Sequence, residues 1–129
     1  MYTISVGDYL YTFAQNGCVP ACCQIAQDTH WDENVPAAFP AEVGVPILGA
    51  VALDDSLVVL DNNNQLWHCS TTNENPQWVQ NIPQPSFTIA SFLAAGDSYI
   101  AAYDKNDNVY LIQTPNGEWL PAQNLIPLD

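Results

Sequence analysis

Trp78-Val79-Gln80-Asn81-Ile82-Pro83 has two counterparts in the same chain. Trp31-Asp32-Glu33-Asn34-Val35-Pro36 precedes it, and Trp119-Leu120-Pro121, running on to Asn124, Ile126 and Pro127, follows it. Upstream of each tryptophan stands a second landmark: Gly7-Asp8-Tyr9-Leu10, Asp54-Asp55-Ser56-Leu57 and Gly96-Asp97-Ser98-Tyr99. Asp8 lies 23 positions before Trp31, Asp55 lies 23 before Trp78, and Asp97 lies 22 before Trp119. The tryptophans step by 47 and then by 41. A repeat of this length is the mark of structural units that bury their faces against their neighbours. Three units, with boundaries near 1–40, 41–84 and 85–129, fill the chain as one domain.

Each unit reads as strands. After the Asp comes a β-prone run: Tyr9–Phe13, Leu57–Leu60 or Tyr99–Tyr103. A polar turn follows at Asn16-Gly17, Asn63-Asn64 or Asn106-Asp107, residue types that tolerate the left-handed backbone of tight hairpins. The return strands are expected at Cys18–Ile25, Leu66–Ser70 and Val109–Gln113, and a last strand carries the Trp. Apolar stretches Ile47–Leu53 and Phe87–Ala94 read as fully buried strands, with Met1–Val6 as their counterpart in the first unit. The fold class is therefore all-β, with three four-stranded units whose innermost strand is the most apolar, the pattern of a β-propeller blade. Closed propellers typically need about four to eight blades, and three would leave two large apolar faces bare. The expectation is a homodimer that completes a six-bladed β-propeller.

The composition limits what such a protein binds. Fourteen residues are Asp or Glu, the one basic residue is Lys105, and the formal charge is −13. Binding a phosphate backbone needs several Lys or Arg to displace counterions, so no nucleic acid is expected as a partner. Anionic membrane surfaces are set aside for the same reason, and no apolar run approaches the length of a span. Twelve Asn and nine Gln supply neutral hydrogen bonding instead. The start, Met1-Tyr2-Thr3-Ile4-Ser5-Val6, shows neither a basic n-region nor an apolar h-region of a secretory signal. Cys18, Cys22 and Cys23 crowd together far from Cys69, a poor disulfide framework, so the expectation is a cytoplasmic protein with reduced thiols.

Trp31, Trp78 and Trp119 are candidate stacking platforms for a sugar ring, or else repeated core residues filling the gap between sheets. Trp67 and Tyr110 occupy matching places on the return strands, where Pro20 sits in the first unit, and are also candidate ligand contacts. Asp61-Asn62-Asn63-Asn64-Gln65 and Asp104-Lys105-Asn106-Asp107-Asn108 have oxygen ligands at alternate positions, as a calcium loop would. No bidentate Glu follows at the spacing of an EF-hand, and hairpin turns account for the same residues, so no cofactor is expected. The C-x3-C-C-x6-H run ending at His30 matches no common zinc pattern, and adjacent Cys22 and Cys23 point to opposite faces of a strand. Cys22 and Cys69 are expected at equivalent sites as buried thiols. His68 and Cys69 are neighbours on a strand and face apart, no G-x-S-x-G or H-E-x-x-H occurs, and no enzyme is expected.

The three Trp-x-x-Asn-[Val/Ile]-Pro-like endings and the Asn turns give the whole chain a resemblance to small β-propeller lectins. These include tectonin-like proteins and the fucose-binding six-bladed lectins of fungi and bacteria, some of which build a ring from partial chains. The resemblance implies glycans as ligands. The arginine–glutamate clamp of the fucose-binding members is missing, for the corresponding positions lie near Val58 and His68, and near Ala101 and Leu111. The expected function is multivalent recognition of neutral glycans through aromatic rings and Asn, Asp and Gln contacts, with Trp31, Trp67, Trp78, Tyr110, Trp119, Asp61 and Asp104 as site residues. The alternative is an acidic interaction or inhibitor module that binds a basic protein partner.

Overall fold

The computed structural model describes residues 2–13, 19–25, 30–95, 98–113 and 117–121. They form three antiparallel sheets in chain order and, among the described residues, no helix. Sheet A is β1 (Tyr2–Val6), β2 (Tyr9–Phe13), β3 (Pro20–Gln24) and β4 (Asp32–Glu33). Sheet B is β5 (Gly49–Leu53), β6 (Ser56–Leu60) and β7 (Leu66–Ser70). Sheet C is β8 (Ser91–Ala95), β9 (Tyr99–Tyr103), β10 (Val109–Gln113) and β11 (Leu120–Pro121). In each sheet the strands pair with their sequence neighbours, and β5 lies alongside both β1 and β8.

Tight turns set these meanders. Gly7 and Asp54 take positive φ (58° and 53°) between the first two strands of sheets A and B, as do Asn64 (62°) and Asp107 (63°) after the second strands of sheets B and C. Glycine, Asn and Asp tolerate that left-handed conformation at low cost.

Sheet B departs from the expected four strands. Where a fourth would run, Val79 makes a single bridge to His68, their N–H and C=O groups exchanging two 2.9 Å bonds. The Gln84 carboxamide completes the edge: its Oε1 accepts from the Leu66 N–H (2.7 Å), and its Nε2 donates to the Leu66 carbonyl (3.1 Å). A side chain thus does the pairing that a further strand residue would do.

Two apolar layers separate the sheets. Between A and B lie Tyr11, Phe13, Cys22, Leu57, Val59, Trp67, Cys69 and Trp78. Between B and C lie Val58, Leu60, Leu66, Ile82, Ile89, Ile100, Ala102 and Ile112. Alternation along β6 divides it between the two: Leu57 and Val59 enter the first layer, Val58 and Leu60 the second. Burying each such side chain contributes roughly 1.5–3 kcal/mol. At Gly49 sheet B's innermost strand lies tight against sheet C, for a Cβ there would stand 2.6 Å from the Phe92 ring.

Strand pairing also corrects two repeat alignments. Leu57 pairs with Cys69, as Leu10 pairs with Cys23, so Cys69 corresponds to Cys23 and not to Cys22. Trp67 and Tyr110 correspond to Ala21 and not to Pro20, since these three pair with Val59, Ala102 and Thr12. Spacing in sequence missed both, because the hairpin loops differ in length.

Candidate functional site

The two Asp-x-Asn loops are built alike. The Asp61 Oδ1 accepts the Asn63 and Gln65 N–H groups (2.8 and 2.9 Å), and the Asp104 Oδ1 accepts those of Asn106 and Asn108 (2.9 and 3.0 Å). Each carboxylate thus caps its hairpin in the manner of an Asx turn. Asp61 is fully buried, and its Oδ2 also accepts the Gly44 N–H (3.1 Å) and the Trp67 indole N–H (2.9 Å). Asp104 is only partly buried, and hydrogen bonds led by the Asn108 side chain hold its carboxyl below the usual range. These oxygens face N–H donors. Among the described residues no group of three or more His, Cys, Asp or Glu is placed to hold a metal ion.

The predicted aromatic contacts do not converge on one surface. Trp67 and Trp78 lie buried between sheets A and B. Trp78 leans on Phe39 (centroids 4.8 Å) and meets Phe13 edge-on (6.4 Å), and its indole donates to the Ala37 carbonyl (2.9 Å). Trp119 repeats this one sheet along: it meets Phe87 edge-on (5.5 Å) and donates to the Pro83 carbonyl (2.7 Å). Tyr110 stacks on the same Phe87 at 3.8 Å. Trp31 stands apart with 42% of its surface exposed.

A different group of residues surrounds a cleft of about 400 Å³ between sheets A and B. Tyr11 and Cys22 form its floor, and Tyr9, Asp8, Asp55 and Thr72 stand exposed around its mouth. The strand order explains this placement, because Tyr9 and Tyr11 share one face of β2 and the Gly7-Asp8 turn carries the acid to the rim. Burial, then the neighbouring Cys22, pushes the Tyr11 hydroxyl up to about 12, and burial raises the Cys22 thiol. The floor is thus uncharged at neutral pH. Thr71 joins the two sides: its N–H and hydroxyl both donate to the Asp55 carbonyl (2.8 and 2.7 Å), while its side chain reaches Tyr11. The cleft offers an aromatic ring, hydroxyls and carboxylate acceptors to a ligand, and no cation lines it. None of the seven residues predicted for the site lines it. The sequence signal for it is the pair Asp8 and Asp55, which recur as landmarks of the repeat.

Cys22 and Cys69 are buried free thiols, Cys23 is buried in sheet A's third strand and donates to the Gln24 carbonyl (3.6 Å), and Cys18 lies outside the described residues. His30 is exposed beside Asp32 at 3.6 Å. Burial lowers the pKa of His68, and burial raises the Cys69 thiol to about 11. Raised thiols are the reverse of what nucleophilic cysteines need.

No family model matches the chain, and no curated protein matches it in sequence. Among solved structures it is similar to the N-terminal domain of Nup159, with a TM-score of 0.58 and 17% identity over 93% of this chain and 29% of that one. It is equally similar (0.58, 17%, 93% and 28%) to a chain in a complex of S. cerevisiae Dbp5 bound to Nup159, Gle1, IP6 and ADP. This chain spans less than a third of either. At this identity the likeness is one of fold: the three sheets match part of a β-propeller.

Proposed function

We propose that the chain is a binding module whose ligand, a neutral glycan, enters the cleft between sheets A and B. The observation that carries this reading is the Tyr9 ring, 41% exposed at the mouth of the cleft and flanked by Asp8, Asp55 and Thr72 over an uncharged floor. The apolar face of a pyranose stacks on such a ring, and its hydroxyls donate to carboxylates and exchange hydrogen bonds with threonine. The volume suits one sugar unit or a small oligosaccharide. A glycan array followed by calorimetry of the best hit tests this. Binding that Tyr9→Ala weakens tenfold or more, at about 1.4 kcal/mol per decade, is the expected result. An array without hits, at high protein concentration and with or without calcium, contradicts it.

The acidic rim favours a second reading, a basic side chain of a protein partner held between Asp8 and Asp55. The two separate by salt. Attraction to a basic partner collapses as ionic strength shortens the screening length, whereas sugar binding persists and is competed by free sugar.

In the same proposal two copies close a six-bladed ring, each with its own A–B cleft, and two weak sites on one ring gain avidity for clustered ligands. Support comes from the outer face of sheet C. Leu93, Ala101, Leu111 and Leu120 pair in one row across all four strands and face away from sheet B. A cytoplasmic setting, where buried thiols stay reduced, completes the proposal.

A further inference from the structure

Trp78 and Trp119 each turn toward the preceding sheet, donate to a carbonyl of the segment joining the two sheets, and pack on its aromatic ring. Trp31 is directed in the same way. Asp32 pairs with Cys22, which faces sheet B, so Trp31 and Glu33 project from the opposite face. No described sheet lies on that side, and the indole is exposed. On the far side of the molecule, sheet C shows the complementary deficit. Tyr103 ends β9 as Phe13 ends β2 and Leu60 ends β6. Phe13 lies under Trp78, and Leu60 belongs to the apolar layer on which Trp119 packs. Tyr103 is 38% exposed. Around it the strand positions of this face, including Leu93, Tyr99, Ala101 and Leu111, carry no charge, although the chain bears −13 in all.

Resting on the ring-closure reading, we infer that Trp31 of one copy seats against Tyr103 on the open face of sheet C of a second copy. The contact is heterologous, and two such contacts close the ring. The outer face of sheet A, with Leu10 and Ile25, then meets that of sheet C as sheet B meets sheet A within one chain. Thr12 lies on that face of sheet A, its hydroxyl buried and without a hydrogen-bond partner among the described residues. Because both copies are acidic, raising the salt strengthens this contact, opposite to its effect on a basic partner.

The test places a benzophenone amino acid at position 31 of the full chain, mixes isotopically heavy and light copies, and maps the photo-cross-links while light scattering reads the mass. The expected result is a mass twice that of the 14.1 kDa chain, with heavy–light cross-links from position 31 to residues 99–113. Trp31→Ala and Tyr103→Ala are each expected to raise the dissociation constant about tenfold or more, as interface anchors do, with the far-UV circular dichroism spectrum unchanged. A doubled mass with cross-links to another sheet, or to residues 122–129 of the same copy, overturns the Trp31 contact and leaves ring closure standing. A single-chain mass at every concentration overturns both.

Discussion

The middle strands of sheets B and C make an instructive pair. From Leu57 to Leu60, β6 is buried on both faces, with no residue more than 2% exposed. Along β9, burial alternates: Ile100 and Ala102 are fully buried, while Tyr99 and Tyr103 are each 38% exposed. The two strands pair with their neighbours in the same way, so backbone structure does not separate them. What differs is having a sheet on each side. A blade gains its second buried face only from a neighbour, and among the described residues the outer face of sheet C has none, with Leu93, Tyr99 and Tyr103 exposed there.

The same contrast appears residue by residue and can be broken by substitution. The largest effect is expected at Asp61, where alanine leaves the N–H groups of Gly44, Asn63, Gln65 and Trp67 without their acceptor. A loss of about 3–5 kcal/mol in urea unfolding is predicted, because each buried donor left unsatisfied costs about 1–3 kcal/mol and neighbouring losses are not additive. Asp104→Ala, in the less buried counterpart, should move the midpoint far less. Trp78→Ala is expected to cost about 3–5 kcal/mol, against under about 1 kcal/mol for Trp31→Ala measured on the dissociated chain. Equal losses at the two tryptophans would remove the distinction between inner and end sheets. Gly49→Ala, which drives a methyl into the Phe92 ring where sheets B and C meet, is expected to cost about 1–3 kcal/mol.

Smaller effects follow from titration. Folding raises Tyr11 from 10.0 to about 12 and Cys69 from 9.0 to about 11. Both groups are neutral when protonated, so their contribution to stability is whole below the unfolded values and is lost as pH climbs through the folded ones. Stability should therefore fall between about pH 9 and 12, checked by urea midpoints across that range. His68 acts at the other end. Its pKa is depressed by burial, so stability should fall as pH drops through and below its ordinary 6.5.

Much of the sheet framework was legible in the sequence. The runs beginning at Tyr9, Leu66, Tyr99 and Val109 alternate or carry β-branched and aromatic residues between Asn and Asp turns, and strands lie there. The edge of sheet B was not legible, because a lone bridge at Val79 and a glutamine side chain leave no periodic trace. The cleft was hidden for another reason. Its walls come from residues near 8, 22, 55 and 71, which meet only when sheets A and B pack, and local motifs do not report such packing. The loop aspartates carried a pattern shared by metal ligands and hairpin caps, and their environment, not their spacing, gives Asp61 four N–H donors.

Sedimentation equilibrium on the full chain, over a wide concentration range and at two salt concentrations, addresses ring closure most directly. The account predicts a folded species of two chain masses whose dissociation is suppressed by added salt. A folded species of 14.1 kDa that persists to the highest concentration at both salt levels would contradict it.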